Sequence, residues 1–223
     1  MKTFKLNYIL FILILTGSCK QEVITLGPPT KVPPHCPPNA TAGSLNLAKF
    51  VAIGSSYVAG FQAGALFTDG QNNSLAAILN KEFECVGGTP LFNQPTIGST
   101  FGFNIFVTPN PDPDNNIFGR FLLQGADPVP TPQLSGIEAL PNPLFNPGFI
   151  YTGASTALNN FSVEAITLGQ FLIPNTGNWA DPNPANGFSP FYARFASNPG
   201  TSTIVGDAAS AGGSFFLFLA SAP

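Results

Sequence analysis

Charge is scarce in this chain. Only 9% of its 223 residues are Asp, Glu, Lys or Arg, against about 25% in an ordinary domain. Eight basic residues are too few to coat a phosphate backbone, so no nucleic acid is expected as a partner. The net charge of −3 also excludes a partner chosen by strong charge. Histidine occurs once, at His35, and cysteine three times, at Cys19, Cys36 and Cys85. Scattered in this way they form no zinc pattern, and neither a metal nor another cofactor is expected. No repeat of fixed period is visible, which excludes a solenoid or a propeller.

Glycine, proline and phenylalanine are plentiful, at 23, 23 and 22 residues. Disordered chains are poor in aromatics. The expectation is therefore a folded, loop-rich protein whose loops are pinned by buried Phe.

The apolar run at the start, Tyr8 to Leu15, is far shorter than the ~20 residues that cross a bilayer. With Lys2 and Lys5 ahead of it, it reads as a signal-peptide core, which makes residues 1–18 a leader. Leu15-Thr16-Gly17-Ser18-Cys19 resembles a bacterial lipobox, in which Cys19 takes lipid and becomes the mature N-terminus. The expected place is outside the cell, anchored by that lipid to the bacterial outer membrane. Lys20-Gln21-Glu22 resembles the surface-export tag of some lipoproteins. Residues 19–44 carry six prolines between Pro28 and Pro38 and read as an extended tether. Once Cys19 is lipidated, Cys36 and Cys85 remain, either as a disulfide in an oxidising compartment or as two buried thiols.

The domain proper is expected over 45–223. Lys49 to Gly54 reads as a buried parallel strand ending in a turn. Ser74 offers an N-cap to a helix with Leu75, Ile78, Leu79 and Phe83 on one face, ended at Val86-Gly87-Gly88. Residues 89–150 hold 11 of the 23 prolines and read as a long irregular insertion, with short strands near Phe101–Val107 and Gly119–Leu123. Ser162 to Leu172 reads as a helix with Val163, Ile166, Phe171 and Leu172 inward. A Pro/Asn-rich loop over 174–190, helices over Phe191–Ala196 and Ser202–Ala211, and a buried strand over Ser214–Ala220 complete the pattern. Strands alternating with helices predict an α/β fold with a parallel sheet.

The segment with chemical content is Gly54-Ser55-Ser56-Tyr57 at the end of the first strand. Such a turn presents a serine hydroxyl at the carboxyl edge of a sheet, where open α/β sheets bind ligands. Such a turn also places backbone N–H groups at a helix start, where they could hold an oxyanion. The stretch resembles the first motif of the SGNH (GDSL-type) hydrolases, with Ser55 and Tyr57 in place of the acid and the leucine. Further segments resemble a lipoprotein branch of the same family: Ala59-Gly60-Phe61-Gln62, Gly70-Gln71-Asn72-Asn73-Ser74, Phe92-Asn93-Gln94-Pro95, Leu158-Asn159-Asn160-Phe161, and Ala193-Arg194-Phe195-Ala196 with Pro199-Gly200-Thr201-Ser202.

The resemblance implies a flavodoxin-like three-layer α/β/α sandwich and hydrolysis of esters of lipids, acetylated sugars or small acyl groups. It makes Ser56 the nucleophile. The N–H groups of Ser56 and of the second-motif position, Glu164 or Ala165, become oxyanion donors, with Ala165 the one carried forward. It also implies a Gly-x-Asn-Asp after the last strand and a later Asp-x-x-His; the chain reads Ala220-Ser221-Ala222-Pro223 there. The expectation is thus a partial hydrolase domain, truncated before its Asp-x-x-His and inactive as it stands. His35, in the tether, is a solvated linker residue rather than a base. Asp69, Glu164 and Asp207 read as a turn residue, a helix-face charge and a helix residue. The alternative is a surface lipoprotein that binds a glycan or a protein on a degenerate hydrolase scaffold, with Trp179, Phe188, Phe191 and Tyr192 as a platform.

Overall fold

Phe50–Gly54 forms β1, five consecutive buried residues. The computed structural model describes residues 36–104, 116–138 and 150–220. The expected leader, Cys19, His35 and the tether up to residue 35 lie outside the described residues, as do 105–115 and 139–149 of the insertion. After β1 come α1 (Ser56–Ala59), β2 (Phe61–Gln62), β3 (Ala65–Leu66), α2 (Thr68–Asn72) and α3 (Leu75–Glu84). Then follow β4 (Asn116–Gln124), β5 (Val129–Glu138), α4 (Pro190–Ala193), α5 (Ile204–Ser210) and β6 (Phe215–Leu219). Short 3₁₀ turns cover Ser155–Ala157, Leu168–Leu172, Pro174–Gly177 and Pro184–Asn186.

β1 pairs in parallel with β6, Phe50 opposite Phe215 through Gly54 opposite Leu219. On its other side it takes residues 159–163, also in parallel. Ala52 N–H donates to Asn159 O (2.7 Å), Phe161 N–H to Ala52 O (2.8 Å) and Val163 N–H to Gly54 O (2.9 Å). Alternate side chains of a strand face opposite sides. Phe50 and Ala52 accordingly join Val58, Leu79, Phe83 and Phe215 in one cluster, which α3 supplies. Val51 and Ile53 join Phe161, Val163 and Ile204 in another, which α5 supplies. Phe50 meets Phe83 edge-on at 5.1 Å between ring centres, a favoured aromatic geometry. The protein is a mixed α/β structure with small parallel and antiparallel sheets.

Helix α3 starts where the sequence places it, with Ser74 Oγ accepting from Ala77 N–H. Its inward face differs from the expectation. Ala76, Ala77 and Asn80 are buried, Leu75, Leu79 and Phe83 are partly buried, and Ile78 is exposed. The expected helix over 162–172 is replaced by the extended stretch 159–163, a turn at Glu164–Ala165 and the 3₁₀ turn Leu168–Leu172. The free edge of β1 satisfies this backbone instead of an i to i+4 ladder. Val163, Ile166 and Phe171 are buried as expected, but Leu172 is exposed.

The insertion is not wholly irregular. β4 and β5 make a long antiparallel hairpin, with Leu123 opposite Pro130 and Phe121 opposite Pro132. Prolines survive in a strand when they sit at an edge. The hairpin docks on residues 101–104: Arg120 N–H donates to Phe101 O (2.7 Å) and Asn104 N–H to Phe118 O (2.8 Å). Phe103 makes only an isolated bridge, to Leu66, and the rest of the expected strand from 105 lies outside the described residues. β6 is an edge strand among the described residues rather than a buried one, and Phe216, Phe218 and Leu219 are exposed.

Cys36 and Cys85 are joined by a disulfide, with Cα atoms 5.0 Å apart. Cys85 caps the end of α3, so the bridge ties the segment before β1 to that helix. From Cys36 onward the described chain forms one unit.

Candidate active site

The site lies where β1 runs out. A Cβ on Gly54 would stand 2.6 Å from Val58 Cγ2 and 2.7 Å from Leu219 O. No real side chain tolerates such distances, so glycine alone lets α1 turn back this tightly over the sheet. Ser55 is extended and 5% exposed, and its carbonyl accepts from Val58 N–H and Ala59 N–H. Ser56 is the first residue of α1 and is half-buried. Tyr57, which follows, is 74% exposed.

The second strand of the site is set by register. Ala52 stands level with Asn160, and Val163 N–H reaches Gly54 O. Glu164 follows Val163 directly, and Ser56 follows Gly54 by two residues, so both turns leave the sheet at the same end. Two asparagines lock this register. Asn160 Nδ2 donates to Val58 O (3.0 Å) while its Oδ1 accepts from Ser162 N–H (3.1 Å). Asn159 Nδ2 donates to Phe50 O (2.7 Å) while its Oδ1 accepts from Asn93 N–H (2.8 Å). Buried amides hold the chain because an unpaired backbone group there costs about 1–3 kcal/mol.

Glu164 is the residue that the sequence reading misjudged. It is 5% exposed, not a charge on a helix face, because the helix expected to carry it does not form. Burial pushes its carboxyl above the usual carboxylate range, and hydrogen bonding with its polar neighbours, the Ser56 side chain and the Ala165 N–H, opposes the shift. Glu164 Oε2 and Ser162 Oγ are buried without a hydrogen-bond partner. The next residue, Ala165, has φ +49°, a conformation that favours glycine. The position that the resemblance gives to a second-motif glycine is thus an alanine with a glycine-like backbone, and its N–H is a neighbour of the Glu164 carboxyl.

The other segments quoted for the resemblance also meet. Gln71 Nε2 donates to Pro95 O (3.0 Å), and Gln71 Oε1 accepts from Ile97 N–H (2.8 Å). Arg194, 1% exposed, donates to the same Pro95 carbonyl and to Thr96 O (2.7 Å). Burial lowers its pKa to about 9, which Tyr151 partly opposes. These contacts fix the 93–97 loop against the sheet and carry no chemistry of their own.

An open groove of ≈ 380 Å³ begins at Tyr57 and is bounded mainly by the apolar side chains of Phe61, Leu75, Ile78 and Leu219. Asp69 lies in the first turn of α2. Asp207 is buried in α5, where it accepts from Tyr192 Oη (3.0 Å) and Ser197 N–H (2.9 Å). Burial, with Asp207 alongside, raises the Tyr192 phenol well beyond its ordinary value. Phe188, Phe191 and Tyr192 are buried, and Trp179 is fixed by Nε1–H donating to Ala193 O (3.0 Å). Three of the four rings suggested as a binding platform are thus interior. Among the described residues no group of three His, Cys, Asp or Glu could hold a metal, and no helix is long and apolar enough to cross a membrane. No protein-family model, curated protein or solved structure matches the chain.

Proposed function

We propose that this chain carries the nucleophile side of an SGNH-type serine ester hydrolase, built on a three-layer α/β/α plan. The observation that carries the reading is the meeting of Ser56 with the Glu164–Ala165 turn at the carboxyl end of β1. In this reading Ser56 Oγ attacks the ester carbonyl carbon. The N–H of Ser56 receives the charge that develops on its oxygen, joined by that of Ala165 once it turns from the Glu164 carboxyl; losing one such donor costs ~10²–10³ in rate. The groove beside Tyr57 suits a small apolar acyl group. The layered plan is supported by β1 feeding two separate clusters, one with α3 and one with α5.

The same reading exports the chain and holds it through lipid on Cys19 at the bacterial outer membrane, with that membrane as its partner. The Cys36–Cys85 disulfide supports export, because such bonds persist in oxidising compartments.

The test is hydrolysis of a p-nitrophenyl ester of a short acyl chain by the 223-residue protein and by Ser56→Ala. Because these 223 residues lack the Asp-x-x-His of the resemblance, only a slow residual rate is expected from them, and it is expected to fall to background in the variant. Equal rates in the two proteins would sink the reading.

A further inference from the structure

We infer that Glu164 is the general base that takes the proton from Ser56. The inference rests on the hydrolase reading and goes beyond it, because the resemblance assigns that task to a histidine.

Four observations carry it. Val163 N–H reaches Gly54 O (2.9 Å), which sets the next residue, Glu164, against the turn that carries Ser56. A base must lie near the proton it removes, and the Ser56 side chain is a polar neighbour of this carboxyl. Glu164 is 5% exposed, so water does not compete for the carboxyl. One of its oxygens, Oε2, is buried with no partner, an arrangement that a purely structural carboxylate rarely leaves standing. Finally, the described elements around it carry no rival charge. β1, α1, β6 and residues 158–166 contain no other Asp, Glu, Lys, Arg or His. The one further titratable group on α1, Tyr57, is 74% exposed.

The chemistry balances on these groups. The Glu164 carboxylate accepts the Ser56 Oγ proton as Oγ bonds to the acyl carbon, and the carbonyl π pair moves to oxygen. The pair returns, the ester C–O bond breaks, and the departing alcohol takes the proton from Glu164. Water then gives a proton to Glu164 and attacks the acyl carbon, and Ser56 Oγ leaves and recovers that proton. Burial lifts the carboxyl above its ordinary range, towards the pH at which a base both exists ionised and pulls on a proton.

The experiment measures the rate at which a fluorophosphonate labels Ser56, by intact mass and peptide mapping, from pH 4 to 8. The probe forms an Oγ–P bond and expels fluoride, while the proton passes to Glu164. In the parent the rate is expected to rise with pH through a single carboxyl titration above the ordinary Glu range. In Glu164→Gln it is expected to fall by ~10²–10⁴-fold and lose that titration. Labelling of Ser56 that is equal in Glu164→Gln, or independent of pH in the parent, overturns the base and leaves the hydrolase reading standing. Faster labelling in Glu164→Gln also overturns it, because the carboxyl would then be an occupant of the oxyanion position. No labelling of Ser56 in the parent removes both. The parent's pH profile stands without any variant, so poor folding of Glu164→Gln does not rescue the inference.

Discussion

Breaking the Cys36–Cys85 bridge tests how this fold is held. The two cysteines are 49 residues apart. In the chain-entropy description, a loop of that length removes ~14 cal/mol/K from the unfolded chain, or about 4 kcal/mol at 25 °C. That is a large part of the 5–15 kcal/mol typical of a domain. The loop encloses β1, α1 and α3, so Ser56 itself lies within the tied segment. Urea unfolding of the parent, Cys36→Ser, Cys85→Ser and the double variant measures the effect. With a slope of about 2 kcal/mol/M, all three variants are expected to unfold ~2 M earlier than the parent, with equal midpoints. Equal midpoints matter because each variant removes the same cross-link. A shift below about 0.5 M, or single variants that differ widely, would refute the entropic reasoning and point to local packing of one sulfur.

Ala165→Gly is expected to raise stability by ~0.5–1 kcal/mol, since alanine at φ +49° bears a strain that glycine does not. Urea midpoints measure it, and a loss of stability would contradict the strained backbone. Glu164→Gln is expected to change how stability depends on pH. The folded pKa of Glu164 lies above its unfolded value, so its proton stabilises the fold fully below the unfolded value. That contribution is lost as pH rises through the folded one. Subtracting the variant's stability curve from the parent's, between pH 4 and 8, should give a difference that falls with rising pH, and a flat difference would refute it.

Where local pattern decided the structure, the sequence was readable. β1 is a buried run closed by a glycine that admits no side chain, and α3 begins at a serine that caps it. Setting Cys19 aside left Cys36 and Cys85 as a bridge or as two buried thiols, and the structure joins them. The stretch 159–163 was not readable in the same way. Val163, Ile166 and Phe171 fit a helical spacing, yet Phe161 and Val163 also alternate as a strand does. The edge of β1, more than a hundred residues earlier in the chain, decided between the two. Glu164 was lost with that helix, since its burial exists only in the extended register. The β4–β5 hairpin was hidden for another reason: Pro130 and Pro132 argue against strands unless the strand is known to be an edge.

The pairing of β1 with 159–163 also has a consequence in time. Ser56 and Glu164 belong to segments that meet only after a loop of about a hundred residues has closed, and such closures come late and cost entropy. Until then the serine is an ordinary alcohol and the glutamate an ordinary surface acid. On the proposed reading, a chain still emerging or still unfolded is chemically silent, and reactivity at Ser56 would report that the long-range closure is complete.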